Sequence, residues 1–267
     1  MKFSGLLFLW ALSLNARAYH IDDHRLITRQ AFQELTACFP KAKALLSVQL
    51  IVNGDVDEDL DLITKWLFYS HYYNPNKKLD MRRADSAERV ASLASSLHAS
   101  ANDPIEPEAM DDLGHMIHHF QDATVPAHVV PVEHSMWDGF ESYHVMQFSS
   151  GLSCDQIATL DQTNTATILK ETALKTLANV QAFQYGQQFW VESKDNEFGQ
   201  YGVFGNNFGE TDFNPGGMPV HIDNAVYYSF KMQQLELATQ ATIRGLMWEL
   251  GDQLKSTINS CVTAQSD

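Results

Sequence analysis

The sequence predicts an all-α fold, a single-domain helical bundle, on three observations. Apolar residues recur at three- and four-residue spacing in several separate stretches, capping and helix-breaking residues stand at their ends, and no alternating strand pair with a hairpin turn stands out between them. With 267 residues and 45% apolar content the chain can close one sizeable core, and nothing in it demands a second domain.

Taken in order, Ile27, Ala31 and Leu35 make the first stripe, Val90, Leu93 and Leu97 the second, and Leu113, Ile117 and Phe120 the third. Asp85-Ser-Ala-Glu88 has the form of a capping box before the second, and Pro104 and Pro107 punctuate the approach to the third. Further helical stretches are expected over Ile168 to Val180 and Asn224 to Leu254. The exception is Lys194 to Pro219, rich in Gly and Asn, which reads as a long surface loop or lid. Its aromatics (Phe198, Tyr201, Phe204, Phe208 and Phe213) either pack down on the core or meet a substrate or lipid surface.

Residues 1–18 read as a signal peptide. Lys2 gives the positive charge, Leu6 to Leu14 a short apolar stretch, and Ala16-Arg17-Ala18 a small-x-small cleavage pattern. That stretch is about half of what a membrane-spanning helix needs. A secreted chain covering 19–267 and beginning at Tyr19 is therefore expected. Losing Lys2 and Arg17 from 18 basic residues leaves 16 against 33 acidic ones, a formal charge of −17. So acidic a chain has no electrostatic footprint for duplex nucleic acid, whereas a site for several divalent cations brings its own excess of carboxylates. Cys38, Cys154 and Cys261 lack any C-x-x-C spacing, which argues against a thiolate metal site. In an oxidising compartment one pair of them can bond, and the sequence does not say which.

Four segments carry chemistry. His118 and Asp122 stand at i and i+4 on the third stripe and share a helix face, while Pro126 ends that helix and His128 follows in the turn. Imidazole and carboxylate at that spacing can ligate zinc. His115 and His119 lie on other faces and read as supporting groups. A second segment offers His134 with Asp138 and Glu141 four and seven residues on, all on one face if helical. A third places Asp55, Asp57, Glu58 and Asp59 ahead of His71, joined to it by one short helix. An EF-hand loop is excluded there, because the glycine at its sixth position and the glutamate at its twelfth are missing. The fourth is the new N-terminus, Tyr19 to His24, where a free amine and first carbonyl can chelate a metal together with the histidine.

Together these segments resemble the zinc-dependent phospholipases C, which share a fold with the S1/P1 nucleases. The likeness covers Tyr19 to Tyr143, in the family's order, and is weak beyond. His118, Asp122, Pro126 and His128 match the family's mid-chain signature residue for residue, and Tyr19 stands where the family usually has Trp. The resemblance implies three zinc ions in a cleft. One would be held by Asp59, His71, His118 and Asp122, a second by His128, His134 and either Asp138 or Glu141, and a third by the Tyr19 backbone, His24 and a bridging Asp122. Asp59 is preferred to Asp57 on its twelve-residue spacing to His71, and is the expected base or aligning group for the attacking water.

The implied activity is hydrolysis of a phosphatidylcholine-type phospholipid, at a membrane surface or micelle, to diacylglycerol and a phosphorylated headgroup by a monomer. Trp66, Phe68, Tyr69 and Tyr72 either hold the headgroup by cation–π contact, about 0.5 to 2 kcal/mol each, or belong to the core. A single-strand nuclease or 3′-nucleotidase on the same metals is the alternative, and a non-catalytic zinc or lipid carrier a third.

Overall fold

A computed structural model of the protein describes residues 21–60, 71–78, 85–97, 105–134, 138–160 and 164–264, with side chains as far as Gly251. The fold is all-α. Its long helices are α1 (Ile21–Cys38), α2 (Val48–Leu60), α3 (Ser86–Ser96), α4 (Pro107–Asp122), α5 (Thr165–Ala182) and α6 (Asn224–Ala264). Single helical turns at Pro126–Val129, Gly139–Ser142 and Cys154–Ala158 lie in the connections. The expected signal peptide, Tyr19, the Asp59–His71 linker and three of the four candidate headgroup aromatics (Trp66, Phe68, Tyr69) lie outside the described residues.

The helices start where the sequence provides caps. Asp85 accepts from the Glu88 amide at 3.0 Å to open α3, and Asn164 accepts from the Thr167 amide at 2.7 Å to open α5. Pro107 is in the first turn of α4, where a missing N–H costs nothing. The three stripes become the core: Ile27, Ala31 and Leu35 of α1 and Leu113, Ile117 and Phe120 of α4 are fully buried, joined by Val90 and Leu93 of α3. α6 is longer than its apolar pattern suggests and bends at Gly251, whose φ of +42° breaks the helical path.

One close crossing sets the position of the functional residues. Where α2 passes α4, a Cβ on Gly54 would fall 2.0 Å from the Asp111 carbonyl oxygen, and one on Gly114 would fall 2.2 Å from that of Ile51. Only glycine lets the two backbones approach this far. Asp55, Glu58 and Asp59 of α2 are thereby pressed against His115, His118, His119 and Asp122 of α4.

The segment over Lys194 to Pro219 departs from a plain loop. It contributes to two antiparallel pairs of two residues each, Trp190–Val191 with Gln200–Tyr201 and Asp212–Phe213 with Val220–His221. Strands that short leave no alternation to read. Most of its aromatics pack inward: Phe204 stacks on Phe213 with centroids 4.2 Å apart, and buried Phe208 meets Phe140, Phe189 and Tyr227 edge-on. Lys77 Nζ donates to the carbonyls of Ser193 and Asp195, anchoring the segment's start.

Cys38, at the end of α1, is bonded to Cys154 across 116 positions. Closing so long a loop restricts the unfolded chain strongly, so replacing both cysteines by alanine is expected to cost about 2–5 kcal/mol in urea unfolding. An unchanged midpoint would show that the unfolded chain is constrained by other means. No helix among the described residues is long and apolar enough to cross a membrane.

Candidate metal centre

Asp122, at the last position of α4, is fully buried and stands amid four imidazoles. Its Oδ2 lies 2.6 Å from His71 Nδ1, 3.3 Å from His118 Nε2 and 3.3 Å from His128 Nδ1, and its Oδ1 lies 3.7 Å from His24 Nε2. His24 comes from α1, His71 from the irregular stretch 71–78, and His128 from the turn Pro126–Val129. The Tyr73 amide donates to the His128 carbonyl at 3.0 Å and locks those last two stretches together. Burial pushes the Asp122 carboxyl up, but the charges of His118, His128 and His71 outweigh it and hold the group well below the usual carboxylate range.

Asp59 adds a second buried carboxylate, with Oδ1 3.7 Å from His118 Nε2 and 3.9 Å from His71 Nδ1, and Oδ2 3.7 Å from His24 Nε2. Asp57, its rival on α2, is exposed. Beyond Asp122 lies the third carboxylate: Glu141 Oε1 is 3.2 Å from His128 Nε2 and 3.6 Å from His134 Nε2. Among the described residues three sets of donor atoms result, each within 4.8 Å: Asp59, His71 and His118; His24, His118 and Asp122; His128, His134 and Glu141.

Asp138 is turned to other work. Its Oδ1 accepts from the Phe140 amide at 2.8 Å and its Oδ2 from the Tyr201 hydroxyl at 2.7 Å, so it caps the turn Gly139–Ser142. The helix that would align His134, Asp138 and Glu141 on one face is not formed, since Asp138 is extended (φ −109°, ψ 143°) and the turn starts after it. Burial and the neighbouring Glu141 charge raise the Asp138 pKa. Tyr72 closes the far side of the Glu141 set. Its hydroxyl accepts from the His134 amide at 3.2 Å, and its ring is 5.4 Å from that of His128 and 4.9 Å from that of Phe198.

Residues that the sequence reading left without a role fix these imidazoles. Gln121 Nε2 donates to Thr28 Oγ1 at 2.8 Å and Asp55 Oδ2 at 3.3 Å, which points its Oε1 at His24 Nδ1, 2.7 Å away. An amide oxygen only accepts, so Nδ1 carries the hydrogen and Nε2 is directed at Asp122. His118 is set the same way, its Nδ1 donating to the Asp55 carbonyl at 2.8 Å. His134 Nδ1 donates to the Val132 carbonyl at 2.9 Å, leaving Nε2 toward Glu141. Such partners fix tautomer and ring orientation in metal-binding histidines. Burial pushes the Asp55 carboxyl up, but hydrogen bonds and charge from His118 and His24 hold it at about 2.

His115 and His119 serve the buried Glu58, at 2.6 and 3.2 Å, while Arg89 donates to it from Nε at 3.1 Å and from a terminal nitrogen at 2.9 Å. Burial opposes charge on Glu58, yet the hydrogen bonds from His115, His119 and Arg89 hold its carboxyl well below the usual range. Glu58→Ala would leave Arg89 and His119 facing a void, at an expected cost of about 3–5 kcal/mol in denaturant unfolding. A loss under 1 kcal/mol would mean that the cluster contributes little.

The donor set fits zinc. Imidazole nitrogens with carboxylate oxygens are its usual ligands, whereas calcium takes oxygens alone. Asp122 Oδ1 is buried and makes no hydrogen bond among the described residues, which is how an oxygen reserved for a cation looks.

No family model and no curated protein matches the chain. The fold is similar to that of Clostridium perfringens alpha-toxin. Against the crystal structure of the toxin from avian strain SWCP, the TM-score is 0.51 at 12% sequence identity, over 89% of this chain and 66% of the toxin chain. The protein thus spans just under two thirds of the alpha-toxin's length, and at that identity the likeness concerns the fold.

Proposed function

We propose that the protein is a secreted zinc metallohydrolase that cleaves the phosphodiester of phosphatidylcholine-type phospholipids, yielding diacylglycerol and a phosphorylated headgroup. The observation that carries this reading is the placement of buried Asp122 among His24, His71, His118 and His128. On this reading Asp59, His71, His118 and Asp122 hold one zinc, His128, His134 and Glu141 a second, and His24 and Asp122, with the Tyr19 amine and carbonyl, a third.

Bound zinc would lower the pKa of a water toward neutrality and neutralise the phosphate oxygens and the departing alkoxide. Asp59, with both oxygens directed at the imidazoles, aligns the attacking water and takes its proton. Tyr72 and Phe198 form an apolar edge beside the Glu141 set, suited to a quaternary ammonium group. Lipid is preferred to nucleic acid because the mature chain carries a charge of −17 and because Glu141, in the phospholipase-like element Phe140 to Tyr143, faces the histidines in place of Asp138. The Cys38–Cys154 bond fits an oxidising compartment outside the cytosol.

The test is hydrolysis of phosphatidylcholine micelles and of single-stranded DNA by purified chain beginning at Tyr19, with and without a chelator. Chelator-sensitive release of diacylglycerol is expected. Activity on DNA alone would replace the lipid reading by the nuclease one, and activity on neither would remove the enzyme.

A further inference from the structure

Lys231 of α6 is fully buried and plays no part in the chemistry above. Its Nζ donates to the Phe140 carbonyl at 3.0 Å, lies 3.2 Å from Asp23 Oδ2 and sits 4.3 Å from the centroid of the Phe140 ring. Both partners are chain neighbours of residues in the metal centre. The Phe140 carbonyl belongs to the peptide that leads into Glu141, and Asp23 immediately precedes His24. Those two residues belong to different donor sets, one with His128 and His134 and the other with His118 and Asp122.

The geometry also says why such an anchor is needed. Glu141 rides on a turn of four residues, Gly139–Ser142, too short to hold its own orientation. Within that turn Glu141 Oε2 accepts from the Asp138 amide at 3.0 Å, which directs Oε1 at the histidines but leaves the turn as a whole to be fastened. Asn206 Oδ1, accepting from the Gly139 amide, and Tyr201, donating to Asp138, hold its start, and two ties fasten its end to α6: Tyr143 Oη donates to Asn224 Oδ1 at 2.8 Å, and Lys231 binds the Phe140 carbonyl. Burying an ammonium is costly unless it is paired and hydrogen-bonded, and an apolar side chain of similar volume would fill this space more cheaply.

We propose that Lys231 is a positioning residue that holds the Glu141 and His24 halves of the metal centre in register, through the Phe140 carbonyl on one side and Asp23 on the other. This rests on the metal centre proposed above.

The experiment compares wild-type chain with Lys231→Met, Asp23→Asn and the Asp23→Asn/Lys231→Met pair, measuring zinc retained against a competing chelator alongside thermal unfolding. Lys231→Met is expected to weaken zinc retention about 10- to 100-fold. The double variant removes both buried charges, so it is expected to regain thermal stability while zinc retention stays low. Recovery of stability and zinc retention together would show that the ammonium serves only the fold, and wild-type retention in Lys231→Met would equally overturn the proposal. A wild-type chain that binds no zinc would remove the metal centre itself, an outcome separable from these.

Discussion

His118→Ala is expected to lower phosphodiester turnover by about 10³-fold or more, on the order of 4 kcal/mol in the transition state. The size of the effect follows from His118 Nε2 being grouped with Asp59 and His71 and lying 3.3 Å from Asp122, so that it is one of the four ligands of the first zinc on the proposed reading. Removing that imidazole takes one of four ligands from the ion. The helix itself should survive, since alanine is the best helix former and α4 is held along its length by Leu113, Met116, Ile117 and Phe120. Zinc content and far-ultraviolet circular dichroism of the variant separate the two effects. Near-normal turnover with the helix intact would sink the assignment of His118.

Zinc binding at pH 7 is expected to release protons, and zinc removal to make stability fall on the alkaline side. In the metal-free protein burial pushes the His128 pKa down, but Asp122 and Glu141 raise it to about 9, and Asp122 and Asp59 raise that of His118 well above its ordinary value. Both rings then carry protons at neutrality that a metal must displace. A histidine whose folded pKa is raised contributes stability that is complete below its unfolded pKa, near 6.5, and is lost as pH rises through the folded value. For His128 that window runs from about 6.5 to 9 and is worth about 3 kcal/mol. Urea unfolding of chelator-treated protein should show this loss, and zinc-loaded protein should not. Calorimetric titration of zinc in buffers of different ionisation enthalpy should show the released protons. Buffer-independent heats would mean that His118 and His128 are already neutral.

What could be read in the sequence was what is local. His118 and Asp122 form a pair within one helical turn, and the stripe on which they sit is the same stripe that buries Leu113 and Phe120. The supporting groups are another matter. Gln121 reaches His24 across 97 positions and Lys231 reaches Phe140 across 91, and no pattern within either segment hints at the partner. The sequence leaves both Asp138 and Glu141 open for the same reason. The two carboxylates differ in the structure because Tyr201, 63 residues on, holds one of them. Asp55 was within reach of sequence reasoning, since it lies one helical turn before Asp59 on α2. The tight crossing at Gly54 and Gly114 was not, because a glycine in a helix shows its purpose only when the facing backbone is in place.

The bond between Cys38 and Cys154 closes a ring of chain that contains every proposed donor of the metal centre except His24 and Tyr19. This bears on what a protease cut inside the ring would do. A single cut anywhere inside the ring leaves both fragments covalently attached and every imidazole and carboxylate still tethered to its neighbours. In an unbridged chain the same cut would leave the two parts free to separate.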